Sequence, residues 1–548
     1  MKNRQSSISV FVALLFTIWA ATLYTQDHAD RVKGEASIRQ VYETILDRYV
    51  AEIDPGKLSD AAIDGMLKEL DPYSQHIDDN NSYRLDAITT GEYGGVGIHL
   101  GRMNDSLIVI SPMDGTPAYR QGIHAGDRIV KIDSVWTKKL ELDEAARLVR
   151  GEQGSMLILL IKRVGESEYL EFELERELIK VPDVSYSGLL RERTGYVKLS
   201  NFSKYSAEDL EKAIRKLSKA NLDALIIDLR GNPGGLLSAA LMSADLFITQ
   251  DQLLLETRGR INESNKKYLS RRRPIVPLDL PLAILVDGGS ASASEILAGI
   301  LQDYDRAVVI GKSSFGKGLV QTVTRLSPET RLKLTTAKYY LPSGRLIQKQ
   351  EIAVDVLYED LLETEIDSFY SDHNRRFEAG GGVEPDLTVN PLSMSSFESK
   401  LWRNRLFYKY ALQFEEKNPV LTLPHQFEEA QVDSFYSWMA DQDLVPKSEL
   451  YNWIMNLTNV VDSNSSIYAE LQSYRTSLFD VEIKYQQDEL AKNRVQILSG
   501  LDTEMANVIG GNGARVAASL KHDPIVQKAI DVLASSSQLK EILAGSSN

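Results

Sequence analysis

The sequence predicts a mixed α/β chain of several domains, in which an α/β core lies between helical regions. At about 100–200 residues per domain, 548 residues allow about three or four domains. Almost unbroken apolar runs at 224–229 and 282–286 are typical of central strands that are buried on both faces. A helix is predicted at 207–220, just before the first run. Because strands and helices continue to alternate, we place the α/β core at residues 181–392.

The regions on both sides of the core have different patterns. The N-terminal region, 36–82, has apolar residues at helical spacing up to a turn at 71–74. In the segment 83–175, glycine-rich and β-branched stretches alternate with one predicted helix at 142–150. Residues 394–548 are predicted to be a mostly helical extension without a catalytic constellation. The strongest helical candidates there are 401–414, 428–440 and 467–500.

The composition excludes some classes of function. A formal net charge of −15 argues against a nucleic-acid-binding protein, because neutralising phosphates requires a basic surface. The chain has no cysteine, which excludes disulfides, thiolate zinc sites and a cysteine nucleophile. It also excludes the lipid anchor of bacterial lipoproteins, which is attached to a cysteine.

The first 26 residues have the pattern of an export segment. Lys2 and Arg4 precede an apolar run at 8–24, as in the n- and h-regions of a signal peptide. The run has about 17 residues, which is short for a membrane-spanning helix. A cleaved signal peptide and an uncleaved membrane anchor at 1–26 therefore remain alternatives. In both cases the positive end stays inside, and the rest of the chain is predicted to be exported to the periplasm or cell envelope.

Three turns that follow predicted core strands carry the candidate chemistry. The first has the sequence D-L-R-G-N-P-G-G-L at 228–236. Its paired glycines, Gly234 and Gly235, stand where a strand ends and a helix begins. Backbone N–H groups at such a place can face an anion or a developing oxyanion. A purely structural turn is the alternative for this segment.

The second turn, at 286–296, joins a predicted strand to a helix through a run of small residues. A serine at such a junction is exposed at the strand end and lies near helix N–H groups, which stabilise negative charge. Ser290, Ser292 and Ser294 all stand in this run. The alternative is that these serines only cap the helix.

The third turn places Lys317 between Gly316 and Gly318. A lysine that is withdrawn from water can act as a general base. Gln321, four residues later, is placed to orient its amine. A solvated loop lysine is the alternative.

A serine nucleophile needs a base, which is usually a histidine. None of the seven histidines lies between residues 125 and 372, which include most of the predicted α/β core. This distribution favours a Ser–Lys site, a known variant of the same roles. The histidines are His28, His76, His99, His124, His373, His425 and His522.

These segments resemble the C-terminal processing peptidases, also called tail-specific proteases, over roughly residues 36–392. The segment S-A-S-A-S-E at 290–295 resembles the nucleophile motif of that family, and D-L-R-x-N-P-G-G at 228–235 its oxyanion turn. G-K-G-x-V-Q at 316–321 resembles its lysine motif, and the interval of 25 residues from serine to lysine also agrees. The resemblance implies Ser292 as nucleophile, Lys317 as general base, Gln321 beside it, and oxyanion donors on Ala293 and on Gly234 or Gly235.

Residues 83–175 resemble the PDZ domain that is inserted in this family. The resemblance implies a loop that binds a peptide C-terminal carboxylate through backbone N–H groups, while the next strand pairs with the peptide. Arg150 is expected to couple peptide binding to the active site. The loop residues are Gly94, Gly95, Val96, Gly97 and Ile98.

The resemblance implies a ClpP- or crotonase-like α/β protease core with an inserted PDZ domain, an N-terminal helical region and a helical C-terminal extension. In the implied mechanism, Lys317 is neutral at rest because burial and few nearby carboxylates lower its pKa. It takes the proton of Ser292, and an acyl-enzyme forms without a cofactor or metal. The expected partners are protein substrates, recognised by their C-terminal tails. Homo-oligomer formation and the role of the extension are left open.

Other functions are compatible with this fold. A catalytically silent PDZ scaffold is expected to have lost one of Ser292, Lys317 and Gln321, yet all three are present. An apolar-ligand-binding protein of the same fold is disfavoured by the complete dyad and the PDZ insertion. A Ser–Lys esterase is disfavoured by the tail-capturing features. We therefore expect an exported serine endopeptidase, with the scaffold as the alternative.

Overall fold

The computed structural model describes residues 28–545 with five internal gaps. The gaps are 104–105, 164, 328–329, 350–367 and 458–465. The predicted signal peptide or anchor at 1–26 lies outside the described residues. Within the described ranges, none of the helices combines the length and the apolar character needed to cross a bilayer. The chain forms two compact units, a smaller one and a larger one.

The smaller unit contains the N-terminal helical region and residues 321–335. Helix α1 spans 28–48 and α2 spans Pro55–Lys68. A short strand, β1 (Gln75–Ile77), follows and pairs antiparallel with residues 331–333. The region therefore contains the expected helices, but it ends in a strand that was not predicted, because its three residues are too few to show alternation.

The larger unit begins with a small β-sheet domain, in the segment that resembles a PDZ domain. Its elements in chain order are α3 (Asp79–Thr90), β2 (Glu92–Gly95), β3 (Ile98–Met103), β4 (Ser106–Pro112), α4 (Pro117–Arg120), β5 (Arg128–Ile132), β6 (Val135–Trp136), α5 (Leu142–Val149), β7 (Met156–Lys162), β8 (Leu170–Glu175) and β9 (Glu177–Lys180). Five antiparallel strands have the order β3-β4-β5-β7-β8, so β3 is at an edge. Ala145 and Val149 of α5 are buried in the same apolar cluster as this sheet. The edge of β3 and the helix α5 therefore border one groove.

The α/β core follows in the chain. Its elements are β10 (Val184–Leu189), β11 (Thr194–Leu199), α6 (Ser206–Ser218), β12 (Ala224–Asp228), α7 (Leu237–Ala244), β13 (Leu253–Arg258), β14 (Lys266–Leu269), β15 (Leu282–Val286), α8 (Ala293–Asp303), β16 (Val308–Gly311), β17 (Leu319–Arg325), β18 (Arg331–Tyr340), β19 (Phe369–Tyr370), β20 (Arg376–Phe377) and β21 (Leu387–Thr388). The main sheet has the order β10-β11-β12-β15-β16-β21. All its neighbours are parallel except β10 and β11, which are antiparallel. Elsewhere in the larger unit, β13 pairs with β14 and with the second half of β18.

The C-terminal region is helical, as predicted. Its helices are α9 (Ser396–Arg403), α10 (Leu406–Lys417), α11 (Ala430–Asp441), α12 (Glu449–Asn456), α13 (Ser466–Lys492), α14 (Arg494–Leu520), α15 (Pro524–Ala534) and α16 (Ser536–Leu543). The predicted single helix at 401–414 is wrong, because Arg405 has a left-handed backbone (φ 53°) that separates α9 from α10. This break lets Leu401 and Phe407 enter the same apolar cluster. The predicted helix at 467–500 is likewise two helices, α13 and α14.

Both faces of the main sheet are covered by helices, which explains why its central strands are apolar at nearly every position. Ile227 and Ile284 belong to the apolar cluster that includes α6, α7 and α8. Ile226 and Leu285, their neighbours in sequence, belong to a second cluster with Val526 and other residues of α15 and α16. Helices α15 and α16 thus complete the α/β core, although the sequence suggested no role for them.

Candidate active site

The first two of the three turns meet at one edge of the main sheet. β12 and β15 are neighbouring parallel strands, so both turns start at carboxyl ends of strands. Oδ1 of Asp287 accepts the N–H of Gly231 at 2.8 Å and that of Gly289 at 2.9 Å. The N–H of Ala291 donates to the carbonyl of Asn232 at 3.0 Å. These bonds hold the second turn against the first.

The three serines of the second turn have different surroundings. Ser290 and Ser294 are fully buried, and their hydroxyls donate to the carbonyls of Leu229 and Asn232, each at 2.9 Å. Ser292 is partly exposed, and its backbone has φ 54° and ψ −109°. This conformation is strained for a residue other than glycine, and a strained serine between a strand and a helix is typical of a nucleophile elbow. Ser290 and Ser294 thus hold the turn in place from the interior, whereas Ser292 stands at the N-cap of α8 with its side chain partly exposed.

Glu295, the last residue of the S-A-S-A-S-E segment, is fully buried and connects the second turn to the third. Its Oε2 accepts the N–H of Ser292 at 2.7 Å and that of Lys317 at 2.9 Å. Its Oε1 accepts the N–H of Gly316 at 2.6 Å and the hydroxyl of Ser314 at 2.5 Å. Burial raises the pKa of Glu295, and these four hydrogen bonds oppose the rise. One buried carboxylate therefore does lie beside the lysine loop.

Lys317 is half-buried in a loop whose path requires its two glycines. Gly316 has φ 89°, which favours glycine. A Cβ on Gly318 would lie 2.8 Å from the backbone nitrogen of Gln348. The hydroxyl of Tyr339, a fully buried residue, donates to the carbonyl of Lys317 at 2.6 Å. Hydrogen bonds to both the N–H and the carbonyl of Lys317 thus fix its backbone.

The two glycines expected to serve the oxyanion differ in what their N–H groups do. The N–H of Gly234 donates to Oδ1 of Asn232 at 2.9 Å. In the described structure, neither Gly235 nor Ala293, the first residue of α8, donates its N–H to a protein acceptor. A Cβ on Gly234 would lie 3.0 Å from the Cβ of Ser292, so the glycine turn passes close to this serine. The N–H groups of Gly235 and Ala293 are the two that are available.

A charged cluster lies at the start of the glycine turn. Fully buried Asp228 accepts hydrogen bonds from Lys198 at 3.1 Å and from Arg230 at 2.6 Å. Arg230 also pairs with Asp523, at the start of α15, at 2.8 Å. Burial by itself would raise the pKa of Asp228, but the charges of Arg230 and Lys198 outweigh it and lower the pKa to about 2. An ion pair thus joins the C-terminal helices to this turn.

Gln321 belongs to the smaller unit, where its Nε2 donates to the carbonyl of Tyr73 at 2.7 Å. The two residues are 248 positions apart, so no local pattern predicted this contact. The role of Gln321 in orienting Lys317 stays a prediction.

The predicted carboxylate-binding loop connects β2 to β3. Gly97 has φ 74°, and a Cβ on it would lie 2.4 Å from the side chain of Thr116. A Cβ on Gly94 would lie 2.0 Å from the carbonyl oxygen of Gly151. The tight packing at both positions admits only glycine.

A groove of about 550 Å³ runs from this loop between β3 and α5. This volume is within the range of about 300–1,000 Å³ that is typical of ligand sites. Ile98 contributes to its wall on β3, and Ala146 and Val149 contribute on α5. Arg150 also lines the groove, and its guanidinium lies 5.4 Å from the ring centre of Tyr93. The coupling role expected for Arg150 stays a prediction.

Glu295 and Tyr339 were not among the predicted site residues. Glu295 had a signal, because it stands three residues after Ser292 at the start of a helix, which is the spacing of a capping box. No local sequence pattern indicated the role of Tyr339, because its contact with Lys317 depends on the placement of β18 in the fold.

Four family models match successive parts of the chain. They are the N-terminal domain of the activating protease CtpB at 20–81, the PDZ domain at 86–162, peptidase family S41 at 193–358, and the C-terminal helical domain of probable PDZ-proteases at 397–533. The fold class that the sequence predicted is confirmed by these matches.

Similar proteins are processing proteases. A carboxy-terminal-processing protease of Bartonella bacilliformis is 37% identical over 64% of this chain and 81% of the relative. The carboxy-terminal processing protease CtpB of Bacillus subtilis is 34% identical over 60% of this chain and 68% of the relative. The solved photosystem II D1 C-terminal processing protease is 25% identical over 65% of this chain and 93% of that chain, with a TM-score of 0.35. The chain belongs to the carboxy-terminal-processing proteases, serine proteases of peptidase family S41.

Proposed function

We propose that this protease is an endopeptidase that cleaves exported proteins near their C-termini with a Ser292–Lys317 dyad. One observation carries the proposal: the N–H groups of both residues donate to the same oxygen of Glu295. Ser292 is also the residue with the strained backbone at the strand-to-helix turn. The lysine is the base because no histidine lies between residues 125 and 372, and His373, the one histidine within 181–392, is 69% exposed and pairs with Asp305.

In the first half of the reaction, the neutral amine of Lys317 removes the proton of the Ser292 hydroxyl. The serine oxygen attacks the carbonyl carbon of the scissile peptide bond. The N–H groups of Ala293 and Gly235 donate to the resulting oxyanion. Gly234 is the less suitable donor, because its N–H already binds Asn232.

The tetrahedral intermediate then breaks its C–N bond. The leaving amine takes the proton from Lys317, and the acyl group stays on Ser292 as an ester. In the second half, Lys317 takes a proton from a water molecule, whose oxygen attacks the ester carbonyl. Ser292 recovers its proton as the carboxylic acid product leaves. The sequence of steps uses no cofactor or metal.

The PDZ domain is proposed to bind the substrate tail. The N–H groups of the loop from Gly94 to Ile98 would hold the terminal carboxylate, and the peptide would extend the sheet at β3. The apolar side chains of Ala146 and Val149 favour an apolar terminal residue. The charge pattern of Lys2 and Arg4 before an apolar run supports export, so substrates are met in the periplasm or cell envelope.

The test is cleavage of casein by purified residues 27–548, beside Ser292→Ala and Lys317→Ala. We expect each substitution to lower turnover by about 1,000-fold or more. Ser313→Ala and Lys312→Ala, at exposed positions near the same loop, are the matched controls and should keep full activity.

The outcomes separate the proposal from its alternatives. Retained cleavage by Lys317→Ala would overturn the dyad, and retained cleavage by Ser292→Ala would mean another nucleophile. Absence of cleavage by the unsubstituted protein would favour the silent PDZ scaffold.

A further inference from the structure

The face of the PDZ sheet that points away from α5 is covered by the C-terminal helical region. Ile108, on β4, is fully buried, yet it is not part of the apolar cluster between the sheet and α5. Gly101 is its partner on β3. A Cβ on Gly101 would lie 2.6 Å from the guanidinium of Arg405, which stands between α9 and α10. The C-terminal helical region therefore contacts the two strands next to the groove.

Helix α14 brings three polar residues to the PDZ groove. The helix is interrupted at Gly511, whose φ of 71° and ψ of −167° are not helical. Asn507 precedes this interruption, and Asn512 and Arg515 follow it. All three line the groove together with β3 and α5. We name Asn507, Asn512 and Arg515 the third wall.

The third wall is placed to meet one particular side chain of a bound tail. A peptide that pairs with β3 directs successive side chains to opposite faces of the sheet. The last side chain has an apolar pocket beside Ile98, Ala146 and Val149. The next-to-last side chain therefore points to the other face, which the C-terminal helices cover.

In the groove and the smaller cavity beside it, guanidinium groups outnumber carboxylates, with Arg150, Arg405 and Arg515 against Asp143 and Glu504. Arg515 is 42% exposed, and its Nε and Nη2 donate to Oε1 of the buried Glu504. Its Nη1 donates to no acceptor in the described structure. A smaller cavity shares Ile110, Asn507 and Arg515 with the groove and also contains Arg405. Among the described residues, no carboxylate forms an ion pair with Arg405. Glu504 lines the same cavity, so this one carboxylate lies beside two guanidinium groups, those of Arg405 and Arg515.

We propose that the third wall selects substrate tails with an acidic side chain at the next-to-last position. Arg515 would donate from Nη1 to that side chain, a charge-assisted hydrogen bond. The inference rests on the proposed function, because it takes the PDZ groove as the tail site. It assigns part of the specificity to the C-terminal helical region, which lies outside the PDZ domain.

The test is binding of labelled peptides to the full chain carrying Ser292→Ala, which prevents cleavage. The probes are fluorescein-labelled decapeptides with aspartate, serine or lysine at the next-to-last position, each prepared with alanine, valine or leucine as last residue. We expect the aspartate probes to bind about tenfold more tightly than the serine probes, and the lysine probes most weakly. Equal affinities overturn the inference, and so does the absence of binding by every probe.

A substitution in the third wall shows whether the preference arises there. Asn512→Asp adds a negative charge and leaves the pair of Arg515 and Glu504 intact, so folding is retained. The preference for aspartate over lysine should fall about tenfold. Asn452→Asp, at an exposed position on α12, is the matched control and should leave it unchanged. An unchanged preference in Asn512→Asp also overturns the inference.

The binding experiment and the cleavage experiment test the third wall and the proposed function separately. Casein cleavage by the unsubstituted protein together with equal probe affinities refutes the third wall and leaves the proposed function standing. A failed dyad does not alter the binding comparison, because every probe is measured on the Ser292→Ala chain.

Discussion

The N–H of Lys317 donates to Oε2 of Glu295 at 2.9 Å, and this same oxygen accepts the N–H of Ser292. The lysine loop and the first turn of α8 are therefore bound to one buried carboxylate. Such a carboxylate is costly to bury unless its acceptor positions are filled. Here two further donors, from Gly316 and Ser314, occupy the other oxygen. The proposed dyad thus depends on a residue that need not touch the substrate.

Glu295→Gln is expected to lower turnover strongly. The amide nitrogen of glutamine cannot accept a hydrogen bond, so at least one N–H of the two loops loses its partner. We expect a loss of about 1–3 kcal/mol in the free energy of unfolding and a larger proportional loss of kcat. Urea unfolding and casein cleavage measure the two effects. The exposed Glu208→Gln on α6 is the control, and equal behaviour of both variants would contradict the role of Glu295.

Gly234→Ala is expected to abolish activity, and Gly288→Ala to preserve it. Gly234 has φ 96°, and a Cβ there would lie 2.6 Å from the carbonyl oxygen of Ala291. Gly288 is in the adjacent turn, and a Cβ on it would meet no atom within 4 Å. Kinetics with a peptide ester give the comparison. A fully active Gly234→Ala enzyme would show that the close approach of the two turns is not needed.

The stability of the protein is expected to depend on the ionised form of Asp228 at low pH. Its pKa is lowered from the ordinary 3.8 to about 2. A carboxyl with a lowered pKa stabilises the folded state above its unfolded pKa, and this contribution disappears as the pH falls from about 4 to 2. The shift corresponds to about 2 kcal/mol at neutral pH.

Asp228→Asn therefore should reduce the free energy of unfolding by about 2 kcal/mol or more at pH 7 and by less at pH 3. Urea unfolding at the two pH values provides the measurement. The control is Asp223→Asn, which removes an exposed partner of Arg193. This substitution should change the free energy of unfolding only slightly at pH 7 and at pH 3. An equal loss at pH 7 and pH 3 for Asp228→Asn would mean that its charge is not responsible.

Val526→Asp is expected to unfold the protease core. Val526, on α15, is fully buried against the main sheet, and a charge there would have no partner. We expect a loss of more than about 4 kcal/mol, seen as insoluble or unfolded protein by circular dichroism. Val495→Asp on α14 is the control, since Val495 is 68% exposed. A stable Val526→Asp protein would mean that the last helices are dispensable for the core.

Elements with a continuous local pattern were predicted well from the sequence. The strand Leu282–Val286 has the predicted bounds, because it is an apolar run that ends in turn residues. The helix predicted at 401–414 is interrupted in the structure. Arg405 has a left-handed backbone, and no glycine or proline at this position indicated the break. Its conformation follows from packing Leu401 and Phe407 into one cluster.

The sequence by itself determined which chemical groups stand in the three turns, because strand ends, glycines and a flanked lysine are local features. Only the tertiary structure decided that Ser290 and Ser294 are buried while Ser292 is strained and partly exposed. It alone also placed Glu295 between the turns and α14 at the PDZ groove. These features depend on hydrogen bonds and packing between residues far apart in the chain, which a local pattern of residue types does not encode.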